Sequence, residues 1–381
     1  MKITVAIDSF KGSLSTFQAG QAVAEGAKRA FPDAHVTVCP LADGGEGTVD
    51  AIIAATGGET VEVTVHDPIG RLISGSYGII PHTKTAIIEM SAAAGITLID
   101  EKDRNPLNTT TYGVGELILD AIKKGCRKFI VGIGGSATND GGVGMLQALG
   151  FAFLDKDKKQ VSFGAKGLQD IVEINADNVP EALQDCAFCV ACDVKNPLCG
   201  ERGCSAIYGP QKGATPQMIA DMDRWLARFA KLTKQLIPNA DENFPGTGAA
   251  GGLGFAFLSY LNASLASGID LVIEETGLEA HIKDADIVVT GEGRLDGQSY
   301  MGKAPIGVAK LAKKHGKPTV AFSGCVTEDA VLCNEHGIDA FFPILRRPCS
   351  LEEAMNVDNA YKNLADTATQ AFRLIKTFSN F

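Results

Sequence analysis

Short apolar runs alternate with amphipathic segments at both ends of the chain. Residues 3–7 and 36–41 are apolar and predict strands, while apolar positions at helical spacing predict helices over 15–31 and 49–55. The same rhythm returns near residue 286. This order of strand, loop and helix is typical of a parallel sheet whose connecting loops share one edge.

The middle of the chain follows a different pattern. Residues 61–65 alternate between apolar and polar positions, and residues 73–80 and 85–90 predict further strands joined as antiparallel hairpins. A third hairpin is predicted over 151–161, and a long amphipathic helix over 216–236. Antiparallel pairs beside helices indicate a mixed sheet rather than a continuation of the first one.

Both ends of the chain show the pattern of a parallel sheet, and the middle shows the pattern of a mixed sheet. Together these patterns predict an α/β fold with two domains. Residues 1–61 plus 281–381 are expected to form a discontinuous, flavodoxin-like parallel three-layer domain, which ends in a helical stretch at 351–378. Residues 62–280 are expected to form an inserted, mixed-sheet α/β domain with glycine-rich phosphate loops.

Composition and charge exclude several classes of partner. The net charge is −10 and no basic tract is present, which argues against nucleic acid. No apolar run approaches the ~20 residues of a membrane span, and the N-terminal segment lacks the features of a signal peptide. We therefore expect a cytoplasmic protein with no membrane partner, and the sequence leaves a homo-oligomer open.

Histidines and cysteines give little support for metal or imidazole chemistry. The six histidines lie outside the glycine-rich loops. Cys189 and Cys192 lie in a predicted strand, where alternation points their side chains to opposite faces, so reduced thiols are the expectation. An attacking hydroxyl would therefore have to be activated by a carboxylate.

Acidic, cationic and hydroxyl side chains recur where predicted strands end. Glycine-rich turns, carboxylates for Mg²⁺ and a few cations are what phosphoryl transfer requires. The Walker phosphate loop and the Gly-x-Ser-x-Gly elbow are absent from the sequence. The strand-end residues are Asp8, Lys11, Asp43, Glu46, Ser136, Thr138, Asp140, Asp193, Asn196, Glu292, Arg294 and Asp296.

Seven ordered motifs spanning nearly the whole chain make it resemble the bacterial class I glycerate kinases. The resemblance implies a two-domain enzyme with its active site in a cleft between the domains. The chain departs from the family pattern at three positions, Ile7, Gly12 and Leu295, where the family usually has Pro, Glu and Ile. The motifs lie at 8–11, 42–49, 132–142, 190–198, 209–214, 249–252 and 290–294.

The resemblance implies a kinase that uses ATP and Mg²⁺ to convert D-glycerate into 2-phosphoglycerate. The expected catalytic residues are Asp8, Lys11, Asp193 and Arg294, and the expected metal ligands are Asp193 and Asp43. ATP is expected at Gly134, Gly135, Ser136, Ala137, Thr138, Asp140, Gly251 and Gly252. Glycerate is expected at Ser9, Asp43, Gly44, Gly45, Glu46, Asn196, Glu292 and Asp296.

Three alternatives stay open at this point. One is phosphorylation of the 3-hydroxyl, because both hydroxyls of glycerate are one carbon apart. Another is a non-kinase 2-hydroxy-acid enzyme, such as a dehydrogenase; the only Gly-x-Gly-x-x-Gly frame, at 246–251, follows no clear strand. The third is a non-catalytic sensor of a small anionic metabolite.

Overall fold

A computed structural model of the chain describes residues 1–297, 299–301 and 303–378. Gln298, which ends the predicted loop after Asp296, lies outside the described residues. The strands are β1 Lys2–Val5, β2 His35–Val38, β3 Glu59–His66, β4 Leu72–Ile80, β5 Thr85–Glu89, β6 Lys128–Gly132, β7 Ala152–Leu154, β8 Glu173–Asn175, β9 Ala187–Ala191, β10 Ser264–Ala266, β11 Ile287–Leu295, β12 Thr319–Val326 and β13 Ala340–Pro343.

Helices occupy most of the connections between these strands. They are α1 Thr16–Ala30, α2 Thr48–Thr56, α3 Ser91–Ala94, α4 Tyr112–Lys123, α5 Val143–Ala148, α6 Ala165–Leu168, α7 Cys204–Tyr208, α8 Pro216–Leu236, α9 Leu253–Tyr260, α10 Gly268–Thr276, α11 Leu278–Asp284, α12 Ala304–Lys314, α13 Leu332–Glu335, α14 Leu351–Met355 and α15 Val357–Phe378. Within the described ranges, none of them combines the length and the apolar character needed to cross a bilayer.

The chain divides into two compact units. The first contains Met1–Asp43, Asp50–Thr56 and the chain from Ile269 onward, and the second contains Gly44–Val49 and Gly57–Gly268. The domain limits predicted from the sequence, residues 1–61 plus 281–381 and residues 62–280, stay a prediction.

The first unit has a five-stranded, all-parallel sheet. Its order is β13-β12-β11-β1-β2, which is 2-1-3-4-5 when the five strands are counted along the chain. That is the flavodoxin-like order, so this prediction is confirmed. Helices cover both faces: α1 and α15 pack on Ile3 and Val289, whereas α12 packs through Ile306 on Ala321.

The second unit has a mixed six-stranded sheet in the order β10-β9-β6-β5-β4-β3. The first four strands of this order are parallel, and β4 pairs antiparallel with both β5 and β3, as the hairpin pattern predicted. Stacked aromatic rings of Phe129 and Phe188, 4.7 Å apart, lie in its core. The fold class inferred from the sequence, two α/β parts with one mixed sheet, is thus confirmed.

Two local predictions differ from the structure. The hairpin predicted over 151–161 is present only in a short form, with an antiparallel bridge between Leu154 and Gln160 and a hydrogen bond from the N–H of Val161 to the carbonyl of Phe153, while β7 forms its regular pairing with β8. The helix predicted over 351–378 is broken at Asn356, whose backbone is extended (ψ 126°). The Asn356 side chain accepts a hydrogen bond from the N–H of Asn359 and thereby caps the start of α15.

Candidate active site

A cavity of about 460 Å³ lies at the carboxyl edge of the parallel sheet in the first unit. The loop after β1 and the last part of β11 line it, and these neighbouring strands mark the point where the strand order reverses. In sheets of this order, ligands bind at that point. Its polar lining residues are Asp8, Ser9, Lys11, Ser13, Asp43, Glu292, Arg294, Asp296 and Lys303. Its apolar wall includes Phe10, Ile344, Leu345, Leu351 and Met355.

Glycine allows β11 to approach β12 closely beside this cavity. A Cβ at Gly291 would lie 1.9 Å from the carbonyl oxygen of Phe322, a distance that no side chain tolerates. The carbonyl oxygen of Gly291 in turn accepts a 2.9 Å hydrogen bond from the N–H of Asp8. The backbone thus fixes Asp8 and Glu292 on adjacent strand ends.

Asp8 is the most deeply buried carboxylate of the cavity. It is only 5% exposed, and its Oδ1 accepts a 2.7 Å hydrogen bond from the N–H of Ser9. Burial raises the pKa of the Asp8 carboxyl to about 7, and the negative charge of Asp43 adds to this shift. A carboxylate of this kind can take a proton near neutral pH.

Glu292 is a second buried carboxylate in the same cavity. It accepts a hydrogen bond from the buried hydroxyl of Ser299, and Lys303 Nζ lies 3.9 Å from its Oε2. Burial raises the pKa of Glu292, while Ser299 and Lys303 act in the opposite direction. Lys303 Nζ also lies 3.9 Å from Oδ1 of Asp296, so one cation serves two acids.

Two further cations of the cavity are mostly exposed. Lys11 Nζ lies 4.0 Å from Oδ2 of Asp43, and its side chain is 67% exposed. Arg294 Nε lies 3.4 Å from Oδ2 of Asp296, and its side chain is 63% exposed. Both head groups are exposed to solvent and form only weak ion pairs. An anionic ligand can therefore bind them at a small cost in free energy.

Seven of the residues predicted for catalysis or substrate binding therefore line one cavity in the first unit. They are Asp8, Ser9, Lys11, Asp43, Glu292, Arg294 and Asp296. Sequence reasoning missed Lys303, which also lines the cavity. Its only local signal is its position before Ala304-Pro305 at the start of α12, where proline marks the first turn of a helix.

The remaining predicted residues belong to the second unit, where a glycine-rich loop at 133–142 joins β6 to α5. Gly134 and Gly135 are exposed at the tip of this loop. The N–H of Ala137 donates to the carbonyl of Ala94, and the hydroxyl of Thr109 donates to the carbonyl of Ala137. These two hydrogen bonds hold the loop at Ala137, whereas its tip is exposed to solvent.

Several glycines let other segments pack against this loop. A Cβ at Gly251 (φ +67°) would lie 2.1 Å from the carbonyl oxygen of Thr138, and one at Gly252 would lie 2.7 Å from Cα of Gly141. A Cβ at Gly134 would lie 3.3 Å from Cα of Gly45. The structure therefore brings Gly251, Gly252 and Gly45 to the predicted phosphate loop.

Asp140 is fully enclosed at the end of the loop. Its carboxylate accepts hydrogen bonds from the N–H and hydroxyl of Thr111 and from the N–H groups of Gly142 and Gly144. Burial raises the pKa of Asp140, and these four donors oppose that rise. The carboxylate oxygens of Asp140 are hydrogen-bonded to the loop and to the start of α5. Asp140 would therefore affect nucleotide binding by holding the shape of the loop.

Lys212 is a site residue that sequence reasoning missed. It lies in the motif at 209–214, and its Nζ donates to Oγ of Ser136 at 2.7 Å and to the carbonyl oxygen of Thr138 at 2.6 Å. The residue is 2% exposed, and burial lowers the pKa of its ammonium group to about 8. A lone lysine in a loop normally indicates a solvated side chain, so no local signal marks its burial.

Glu46, Asp193 and Asn196 lie outside this loop. Glu46 and Asp193 are exposed, and Oδ1 of Asp193 accepts a 3.1 Å hydrogen bond from the N–H of Gly268. The amide of Asn196 donates to the carbonyl of Arg202 and accepts from the hydroxyl of Tyr208. A Cβ at Gly44 would lie 2.7 Å from Cβ of Ala191, next to the strand end that precedes Asp193.

The donor set fits Mg²⁺ only in the way typical of nucleotide enzymes. In the part of the chain that the structure describes, no three histidine, cysteine or acidic side chains are grouped closely enough to hold a metal ion. Mg²⁺ in kinases is held by one or two carboxylates, waters and the phosphates of the nucleotide. Single carboxylates such as Asp43 and Asp193 meet that requirement, whereas a cage made of protein groups alone is not present among the described residues.

Comparisons with known proteins point to one family. The sequence profile described as the glycerate kinase family matches residues 3–376. The chain is 47% identical over 375 residues to the glycerate kinase of Haemophilus influenzae, covering 98% of this chain and 99% of that protein. It is 46% identical over 378 residues to the glycerate 2-kinase of Escherichia coli K12, with the same coverage.

A solved structure extends the agreement to three dimensions. The crystal structure of a candidate glycerate kinase 2 from Salmonella typhimurium LT2 matches with a TM-score of 0.90 at 42% identity, covering 100% of both chains. A profile match over nearly the whole chain, together with these full-length relatives, identifies the family. This chain belongs to the glycerate kinase family.

Proposed function

We propose that this protein transfers the terminal phosphoryl group of ATP to the 2-hydroxyl of D-glycerate and releases ADP and 2-phosphoglycerate. The observation that carries the proposal is the cavity of the first unit. It combines the buried carboxylate of Asp8 with the exposed cations Lys11 and Arg294 at the ligand-binding edge of a flavodoxin-like sheet. The relative from Escherichia coli, named a glycerate 2-kinase, supports the choice of hydroxyl.

Lys11 and Arg294 are the proposed ligands of the anionic groups of substrate and phosphate. The guanidinium of Arg294 can grip a carboxylate with two parallel hydrogen bonds, whereas Lys11 acts as a point charge. Ser9, Glu292 and Asp296 offer hydrogen-bonding groups around the same cavity. A small hydroxy acid needs this mixture: cations for its carboxylate, and acceptors for its hydroxyl hydrogens.

Asp8 is the proposed general base. In the transfer step the 2-hydroxyl oxygen of glycerate forms a bond to the terminal phosphorus of ATP while the bond from that phosphorus to the bridging oxygen of ADP breaks. The hydroxyl proton passes to Oδ2 of Asp8, since Oδ1 already accepts from Ser9. A carboxylate in this role corresponds to the aspartate that accepts the hydroxyl proton in other kinases.

The glycine-rich loop of the second unit is the proposed binding site for the nucleotide phosphates. Gly134 and Gly135 are exposed at its tip and carry no side chain that would block an approaching phosphate. The hydroxyl of Ser136 follows directly, and Gly251 and Gly252 shape the loop from the other side. Ala137, Thr138 and Asp140 are buried and would act by holding this shape.

Asp43 and Asp193 are the proposed ligands of Mg²⁺. When bound, the ion supplies positive charge that offsets the charge developing on the phosphate oxygens. Glycerate contacts by Gly44, Gly45, Glu46 and Asn196, the cleft that the resemblance implies, and a cytoplasmic location stay predictions.

The test is a direct assay with D-glycerate, ATP and MgCl₂. Enolase and pyruvate kinase consume 2-phosphoglycerate, so NADH oxidation through lactate dehydrogenase reports its formation, and ³¹P NMR separates the 2-phosphate from the 3-phosphate. We expect the 2-phosphate as the product. Formation of the 3-phosphate would contradict the regiochemistry, and absence of any phosphorylated glycerate would contradict the function.

A further inference from the structure

A buried ammonium group lies directly beneath the glycine-rich loop of the second unit. Lys212 Nζ is shielded from solvent and donates to two neutral acceptors, Oγ of Ser136 and the carbonyl oxygen of Thr138. Within the described chain, no carboxylate oxygen lies within 4 Å of this Nζ. A buried cation without a close counter-charge is costly, so its position requires an explanation.

The hydrogen bond from Lys212 determines what the hydroxyl of Ser136 can do. An ammonium group has only donors, so Ser136 Oγ must accept in this contact. The single hydroxyl hydrogen of Ser136 must therefore point to another acceptor. Ser136 comes directly after the exposed Gly134 and Gly135 and is itself 9% exposed, so its hydroxyl hydrogen is available to a ligand bound at the loop.

We propose that Lys212 is a positioning residue that fixes the hydroxyl of Ser136 as a hydrogen-bond donor to a phosphate group of the nucleotide. This inference rests on the proposed binding of ATP at the loop. A phosphate dianion there would add to the negative charge of Asp140 in balancing the ammonium group of Lys212. The second contact, to the carbonyl of Thr138, holds the loop two residues beyond Ser136.

Ligand binding at the loop should change the protonation of Lys212, which would not be expected of a purely structural lysine. Burial holds the pKa of Lys212 near 8, while Asp140 and Cys204, the ionisable groups that act on it, oppose this lowering. A bound phosphate would raise that pKa, so binding above pH 8 must be accompanied by uptake of a proton. A deprotonated amine could accept from Ser136 instead, which would turn the hydroxyl hydrogen away from the ligand.

The experiment measures binding of MgADP by titration calorimetry at pH 8.5 in two buffers of different protonation enthalpy. The variants are Lys212→Met, Ser136→Ala and their combination. Tyr77→Phe is the matched control, because it removes a partly buried hydrogen bond of the same unit, from the hydroxyl of Tyr77 to Asp120. Thermal unfolding reports the integrity of each variant.

We expect each single variant to weaken MgADP binding at least tenfold and the double variant to be no weaker than the worse single one, because Lys212 acts through Ser136. Proton uptake should occur in the wild type and disappear in Lys212→Met. Glycerate affinity should not change, and Tyr77→Phe should bind MgADP normally.

Unchanged MgADP affinity in Lys212→Met, or independent and multiplicative effects of the two substitutions, would overturn the proposal. If Lys212→Met does not fold, Ser136→Ala decides alone: unchanged affinity overturns the proposal and weakened affinity supports it. A wild-type protein that binds MgADP with proton uptake but does not phosphorylate glycerate would remove the proposed function and leave this inference intact.

Discussion

The carboxylate of Asp140 accepts hydrogen bonds from both the backbone N–H and the hydroxyl of Thr111, each 2.9 Å long to Oδ2. Thr111 directly precedes α4, and Asp140 lies just before α5. The hydroxyl of Thr111 in turn accepts from the N–H of Met145. One buried acid therefore ties the starts of two packed helices to the end of the glycine-rich loop.

Replacing Asp140 by Asn should destabilise the protein. The amide would present N–H hydrogens to at least one of the converging donors and leave it unpaired, at a cost of about 3 kcal/mol. Denaturant unfolding checks this, and Thr111→Ser, which keeps the hydroxyl, is the matched control. If Asp140→Asn kept full stability but lost MgADP affinity, Asp140 would contact the nucleotide rather than shape the loop.

The fold was predictable where pattern and connection rules agree, and less so where local signals are weak. Strand, loop and helix order at both chain ends indicated the parallel sheet, and period-two alternation at 61–65 indicated the mixed one. Helices α10 and α11 were not predicted. Helix α11 follows Gly277, which provides no side-chain cap, so tertiary packing rather than a sequence signal defines its start.

Site residues were predictable where chemistry coincides with a strand end. Asp8 and Glu292 follow or end buried strands, so their position at the sheet edge could be inferred without coordinates. Lys212 and Lys303 could not be inferred in this way. Lys212 contacts a distant segment, the loop at 136–138, whereas Lys303 contacts acids close to it in sequence, and one sequence reports neither contact.

Replacing Asp8 by Asn should separate catalysis from stability. The pKa of Asp8 is raised from its ordinary 3.8 to about 7, so the folded state holds the proton more tightly than the unfolded state does. The wild type therefore loses stability as the pH rises between about 4 and 7. In EDTA, Asp8→Asn should unfold a few degrees higher than the wild type at pH 8 and show no advantage at pH 4.

The same substitution should lower kcat at least a hundredfold, since the base is lost while the shape is kept. Asp33→Asn, at an exposed acid beyond α1, is the control for both measurements. An Asp8→Asn enzyme with near-normal kcat would exclude Asp8 as the base. A stability difference independent of pH would mean that the raised pKa does not govern this site.

Removing the exposed cations should affect substrate affinity without affecting the fold. Lys11→Ala and Arg294→Ala should change the free energy of unfolding by less than about 0.5 kcal/mol, because both side chains are largely wet. KM for glycerate should rise at least tenfold in each. Arg294→Lys should recover little, since an ammonium cannot replace the two parallel hydrogen bonds of a guanidinium.

Steady-state kinetics at saturating ATP provides this measurement, with Lys28→Ala on α1 as the control for loss of one surface charge. An unchanged KM for glycerate in Lys11→Ala would remove that lysine from the substrate site. It would leave the assignment of Arg294 to be judged on its own variant.

Adding one methyl group at Gly251 should damage nucleotide binding through the backbone alone. Gly251 has φ +67°, and its new Cβ would meet the carbonyl oxygen of Thr138 at 2.1 Å, so the loop must shift. Gly125 has φ +90° in the same unit with nothing within 4 Å of its would-be Cβ, so Gly125→Ala carries only the strain of the left-handed backbone, about 1–2 kcal/mol.

Comparison of Gly251→Ala with Gly125→Ala separates the effect of displacing the loop from the effect of backbone strain alone. Both variants should unfold earlier than the wild type, but only Gly251→Ala should lose MgADP affinity, because only it moves the carbonyl to which Lys212 is bound. Equal loss of affinity in both variants would mean that general destabilisation weakens binding. Normal binding by Gly251→Ala would mean that the nucleotide does not depend on the position of this carbonyl.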